Sequence, residues 1–166
     1  MLRLTALAAL ILLSGCGRLL SPEEQKRRDA EDVAAVEAMQ KVMPPIKPIA
    51  LQPITLAEIT AKNLSGAGCS FGKTSAQPLA LALVGRAVIK VDDATELLIS
   101  DNGGNKLEAG AWEHYLGKVH TLTLKRVPGP GTPGAAKSTE YAGELIVRDA
   151  WDRNVYSAQG VLNCGA

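Results

Sequence analysis

Aromatic side chains are scarce in this chain: one Phe, two Trp and three Tyr among 166 residues. A core with so few rings must be built from Leu, Val, Ile and Ala, so a ring beside a turn stands out as a contact candidate. Histidine is scarcer still, with only His114 and His120. Neither sign of charge dominates, since 18 Lys and Arg face 17 Asp and Glu for a formal net charge of +1. Such a chain lacks the basic footprint of a nucleic-acid binder. Beyond Leu13 no long apolar run occurs, and a helix needs roughly 20 apolar residues to span a bilayer.

The apolar run that does occur, Leu4 to Leu13, follows Arg3 and ends in Leu13-Ser14-Gly15-Cys16. A basic start, a short apolar stretch and small residues before a cut are the marks of an export signal. The tetrad resembles the lipobox of bacterial lipoproteins. That resemblance implies cleavage before Cys16, a diacylglycerol on its thiol and acylation of its new amine. Residues 1–15 are then a signal peptide, and their removal takes away Arg3 and leaves the chain neutral. Gly17, rather than Asp, resembles the sorting pattern for release to the outer membrane, with the protein facing the periplasm.

Residues 16–43 read as a lipidated N-terminus and a helical stalk. Ser21-Pro22-Glu23-Glu24 combines an N-cap, a proline at the first helical position and the Glu of a capping box. The run that follows has no Gly or Pro, and carries a thin apolar stripe at Val33, Val36, Met39 and Met43. Residues 44–53 hold Pro44, Pro45, Pro48 and Pro53 and read as a linker, which at about 3.1 Å per residue would span roughly 30 Å. Residues 54–166 show the period of β-strands. Leu79, Leu81 and Leu83 alternate with Ala80 and Ala82, while Ala87, Ile89 and Val91 alternate with Val88 and Lys90. Leu122 and Leu124 alternate with Thr121, Thr123 and Lys125, and two further strands follow at 141–148 and 154–162. The stretch 128–134, Pro and Gly at six of seven positions, cannot hold a ladder and reads as an exposed loop. Ile54 to Leu64 is either a helical turn or a short strand. The expected fold is mainly β: a small antiparallel barrel or sandwich.

With Cys16 given to lipid, Cys69 and Cys164 form an even pair in an oxidising compartment. A bridge between them would close a loop of nearly a hundred residues, for which chain entropy gives about 4 to 5 kcal/mol as an upper figure. Buried free thiols or a metal pair are the competing readings.

Other motifs have plainer explanations. Ala67-Gly68-Cys69-Ser70-Phe71-Gly72-Lys73-Thr74 fits a relaxed phosphate-loop pattern, but no buried strand precedes it and Pro78 stands where a helix should run, so no nucleotide is expected. Asp101, Gly103 and Asn105 have early calcium-loop spacing, yet a Gly occupies a ligand position and no Glu closes the loop, so a turn is favoured and no metal is assigned. His114 or His120, with Asp149 or Asp152 and a serine, make a triad only on paper, and His120 is expected to be a partly buried structural residue. No catalytic residue and no cofactor is assigned. Among the aromatics Tyr156 reads as core, while Trp112 and Trp151, beside turns, are open between core and partner contact.

From Gln52 onward the chain resembles a family of small exported alphaproteobacterial proteins of unassigned function. The resemblance rests on Gln52-Pro53-Ile54, Leu64 to Phe71, Ile89-Lys90-Val91-Asp92, Tyr141 to Asp149, and Gly160 to Gly165, with Asp93 where a turn Gly is usual and the loop 128–134 expanded. It implies a two-cysteine β domain and no particular activity. In architecture alone, the chain also resembles the membrane-bound lysozyme inhibitors. The expected function is a membrane-anchored, non-catalytic module that binds an envelope protein or has a structural role. Inhibition of a secreted enzyme is the alternative, and an undetected hydrolase ranks below both.

Overall fold

The computed structural model describes residues 21–41 and 43–165, so the lipid-attachment expectation at Cys16 lies outside the described residues. Two compact units divide at Pro44. The first contains α1 (Pro22–Lys41). Its start is the expected capping box: Glu24 N–H donates to Ser21 Oγ at 3.2 Å, and Ser21 N–H donates to Glu24 Oε2 at 3.2 Å. Val33, Val36, Met39 and Met43 are all exposed.

The second unit, Pro45–Ala166, is a β-barrel. It contains α2 (Leu56–Ala61), β1 (Gly68–Gly72), β2 (Pro78–Leu83), β3 (Arg86–Val91), β4 (Ala94–Ser100), β5 (His114–Leu116), β6 (Thr121–Arg126), β7 (Thr132–Pro133), β8 (Thr139–Arg148) and β9 (Asn154–Gly165). The antiparallel sheet runs β6-β5-β4-β3-β2-β1-β9-β8, and β8 pairs with β6 to close eight strands on themselves. Closure removes the free edges that make open sheets sticky. The ninth strand, β7, lies outside this ring and pairs only with β8, through Thr132↔Glu140 and Pro133↔Thr139. The Pro/Gly stretch 128–134 therefore does hold a two-residue ladder, contrary to expectation. Proline is tolerated there because β7 is an edge strand.

The barrel interior is filled by side chains. Phe71, Ile89, Leu98, Tyr115, Leu122, Leu124, Leu145, Val147 and Leu162 are all at or below 1% exposure. On β2 the leucine–alanine alternation has the opposite sense from the one that hydrophobicity suggests. Ala80 and Ala82, fully buried, join the interior cluster, whereas Leu81 packs outside with Ile54, Leu64 and Val88. A narrow barrel has room for methyl groups where strands crowd, and the larger leucine finds cover on the outer face. Each such Leu or Val contributes about 1.5–3 kcal/mol when fully buried.

The cover is the segment 49–64. Ile49 N–H donates to Val155 O at 3.1 Å, Gln52 N–H to Lys90 O at 2.9 Å, and Ile54 N–H to Pro78 O at 2.8 Å. Leu51 bridges Val91 and is buried with the core. The second half of the expected linker, residues 49–53, is thus part of the barrel, because its apolar residues Ile49 and Leu51 have a core to enter. Ile54 to Leu64 resolves as helix: Thr55 caps α2, and Glu58 closes the box by accepting from Thr55 N–H at 2.8 Å. Glu58 also takes the Lys90 ammonium at 2.8 Å and so pins α2 to the outer face of β3.

Cys69 and Cys164 face each other across β1 and β9 and are joined by a disulfide, with a sequence separation of 95. Both are buried, so the bridge ties the first and last barrel strands from the inside.

The Lys90 hydrogen bond, followed by those from Thr55, lowers the Glu58 pKa from 4.5 to about 2. A depressed carboxylate pKa contributes stability that is complete above the unfolded value and is lost as pH falls through the folded one. Denaturant midpoints measured from pH 6 downward should therefore fall between about pH 4.5 and 2. Glu58→Gln should make that limb shallower, and an identical acid limb in the variant would contradict this role.

Candidate functional site

Antiparallel alternation sorts the barrel's connections into two ends. Residues 73–77, 92–93, 117–120 and 149–153 join strands at one end, called upper here, and residues 84–85, 101–113 and 127–138 join them at the lower end. Trp151 is therefore at the upper end and Trp112 at the lower. The two proposed contact residues are not brought into one patch.

Trp112 is part-buried and packs against the core. Its Nε1–H donates to Val84 O at 3.1 Å, and its backbone N–H donates to the Tyr115 hydroxyl at 2.8 Å. That hydroxyl in turn donates to Leu83 O at 2.8 Å. Burial pushes the Tyr115 phenol pKa up, which keeps the group protonated and able to donate. The Lys106 ammonium lies 4.8 Å from the centre of the Trp112 ring. Trp112 thus has a structural task, closing the lower end between 84–85 and 101–113.

Trp151 is 49% exposed. Its turn is held by Asp149, which accepts from Trp151 N–H at 2.9 Å, from Arg153 N–H at 3.0 Å and from Arg153 Nε at 2.8 Å. The Arg153 side-chain bond leads the causes that hold the Asp149 carboxyl below its ordinary range. The Arg153 guanidinium lies 5.1 Å from the centre of the Trp151 ring. Fixed by both neighbours, Trp151 presents an ordered apolar surface to solvent.

The residues of the paper triad are dispersed. His114 Nδ1 pairs with Thr123 Oγ1 at 3.1 Å, and His120 Nδ1 with Glu96 Oε2 at 2.6 Å. Asp149 is taken by Arg153, and Asp152 pairs with Arg148 at 3.3 Å. Ser70 has the elbow spacing Gly68-Cys69-Ser70-Phe71-Gly72. It sits mid-strand in β1, paired on both sides, and the cleft of about 330 Å³ that it lines contains no His, Asp or Glu. A nucleophile elbow needs a sharp strand-to-helix turn and a base, and neither is present at Ser70. The same strand occupies most of the phosphate-loop match. At the calcium-like segment Gly103 N–H donates to Asp101 Oδ1 at 3.1 Å, which makes it a turn. Among the described residues no group of three or more His, Cys, Asp or Glu side chains could hold a metal ion.

Glu96 is the carboxylate at the upper end whose place strand periodicity does not reveal. It lies on the inward face of β4, in register with Ile89. Its Oε1 accepts from Val119 N–H at 3.2 Å and His120 N–H at 3.1 Å. Just outside this contact, Leu97, Ile99, Leu116 and Val119 are all between 52% and 57% exposed. Ile99 and Leu116 are cross-strand partners, so these side chains form a surface strip. Three apolar residues in a row, Leu97-Leu98-Ile99, are the sequence signal for it, since a strand can hide only one of its two faces here.

Tyr115→Phe removes both hydroxyl bonds and leaves Leu83 O and Trp112 N–H without their partner. The expected cost is about 1–3 kcal/mol, read by chemical denaturation. Unchanged stability would contradict the structural role of this pair. In comparison with known proteins, the chain matches no family model, no curated protein and no solved structure.

Proposed function

We propose that this chain is an exported lipoprotein, anchored through Cys16 to the outer membrane on its periplasmic face, whose barrel is a non-catalytic module for binding an envelope partner. The observation that carries the binding part is the filled interior. Leu98, Leu122, Leu124, Leu145, Val147 and Leu162 occupy the space in which larger barrels hold a ligand, so recognition falls to the outer surface. There Trp151 and the strip Leu97, Ile99, Leu116 and Val119 offer exposed apolar area of the kind that marks contact sites. The anchor part is supported by the Leu13-Ser14-Gly15-Cys16 tetrad. A barrel stapled by Cys69–Cys164 suits an oxidising compartment.

Cell fractionation with lipid labelling tests the anchor. The native chain should be membrane-bound and labelled, and Cys16→Ser should be unlabelled and released; a Cys16→Ser chain that stays labelled and membrane-bound would refute the anchor. In-cell crosslinking tests the module. An envelope protein crosslinked to the native chain, and lost in Trp151→Ala or Leu116→Glu with the fold intact, is expected. Crosslinks unaffected by either substitution would place recognition elsewhere.

A further inference from the structure

The ring of eight strands has one weak seam. β4 and β5 pair through only Ile99↔Leu116 and Ser100↔Tyr115, whereas β4 pairs with β3 along six residues, Ala94 to Ile99. The first half of β4 therefore projects past β5 as part of the β3–β4 hairpin.

The turn of that hairpin sets which backbone groups point outward. Asp92 and Asp93 have φ of 48° and 61°, and Val91 pairs with Ala94. This is a two-residue turn with both residues left-handed, the geometry in which the flanking pair exchanges its hydrogen bonds. Antiparallel pairs alternate from there. Ile89–Glu96 and Ala87–Leu98 are hydrogen-bonded pairs, while Thr95 and Leu97 direct their N–H and C=O away from β3. The opposite strand obeys the same phase: Lys90, paired with Thr95, also points outward, and its C=O accepts from Gln52 N–H at 2.9 Å.

The two edges of this hairpin tip are treated differently. The β3 edge is covered by the extended segment around Leu51 and Gln52. On the β4 edge, no hydrogen bond engages the outward groups of Thr95 or Leu97 among the described residues. The nearby turn 117–120 is held by the Glu96 carboxylate, bonded to Val119 and His120 N–H from the inner face, instead of by a ladder. Proteins commonly protect an open edge with proline, lysine or an inward-pointing charge; Ala94-Thr95-Glu96-Leu97 has no proline or lysine, and its one charge, Glu96, is engaged inside by Val119 and His120 N–H. The exposed Leu97 and Val119 flank the edge. Lys118, exposed and with no ion-pair partner among the described residues, stands at its inner end, and the exposed Asp92 at its tip.

We infer that the β4 edge, Ala94–Leu97, is a docking site for an extended segment of a partner protein, which adds as a short strand to Thr95 and Leu97. The strand would carry apolar residues at alternate positions to lie against Leu97 and Val119. An acidic residue near Lys118 and a basic residue near Asp92 would complement the ends. Backbone bonds give such a contact its affinity and the alternate side chains give it selectivity. The inference rests on the reading of the barrel as a binding module and names its site.

The test uses the ¹⁵N-labelled full chain and two acetylated, amidated hexapeptides of alternating Val and Thr, with Glu at one end and Lys at the other, in the two reversed orders. In the free chain the Thr95 and Leu97 amides should exchange rapidly with solvent while those of Glu96 and Leu98 are protected. One of the peptides should shift and protect Thr95 and Leu97. Thr95→Pro and Leu97→Pro should keep the melting temperature and abolish that response. Slow exchange at Thr95 and Leu97 in the free chain would overturn the inference, as would peptides that leave both amides unmoved. Concentration-dependent protection of the two amides without peptide would assign the edge to a second copy and overturn it equally. A chain that fails these tests yet retains its Trp151-dependent crosslinks would lose the edge and keep the module.

Discussion

The pairing of β1 with β9 is the contact on which the barrel depends. It joins residues 68–72 to 161–165 and is the longest-range ladder in the sheet. Bringing such distant segments together costs loop-closure entropy before any burial compensates. The Cys69–Cys164 bridge offsets that cost by constraining the unfolded chain, at about 4 to 5 kcal/mol in the entropy model. Once β1 is fixed between β2 and β9, and β8 between β9 and β6, every strand of the ring is paired along most of its length with at least one neighbour. The staple and the weak β4–β5 seam lie across the ring from each other, three strands apart in either direction.

Interior positions are occupied by Leu, Val, Ile and a few rings, so chemistry is left to the outer surface and the two ends. The lower end is closed by Trp112 and Tyr115, whose hydrogen bonds leave little for a partner. The upper end receives the chain at Ile49–Gln52 and displays Trp151 on a turn stiffened by Asp149 and Arg153. The exposed strip of β4 and β5 begins at the same end. A partner reaching the barrel from this side would meet a rigid ring, an unpaired stretch of backbone and apolar side chains together.

Much of the fold was legible because strand periodicity is local. The runs around 87–91, 118–127, 141–148 and 154–162 were readable, the second three residues too long at its start because 118–120 is a turn, as were the capped start at Ser21 and the cysteine pair. The facing of β2 was not, since alternating Leu and Ala reveals the period and not which set points inward; a crowded interior took the alanines. Residues 49–53 looked like linker because their prolines are conspicuous, while the core that accepts Leu51 is assembled from distant strands. β5 has three residues and no period to read. Around the candidate site, the position of Trp151 beside its turn was recognisable. Glu96 was not, because its partners Val119 and His120 are more than twenty residues away and only the register of β4 against β3 turns its carboxylate inward.

The central claim is that the barrel is one cooperative unit held shut at β1–β9. Native-state amide exchange of the full chain, oxidised and then reduced, tests it most directly. In the oxidised protein the amides of β1, β2, β3, β6, β8 and β9 should share the slowest exchange, and reduction should lower their protection together by a similar factor. Protection lost in β1 and β9 alone, with the other strands unchanged, would show that the ring does not depend on the staple and would contradict the account.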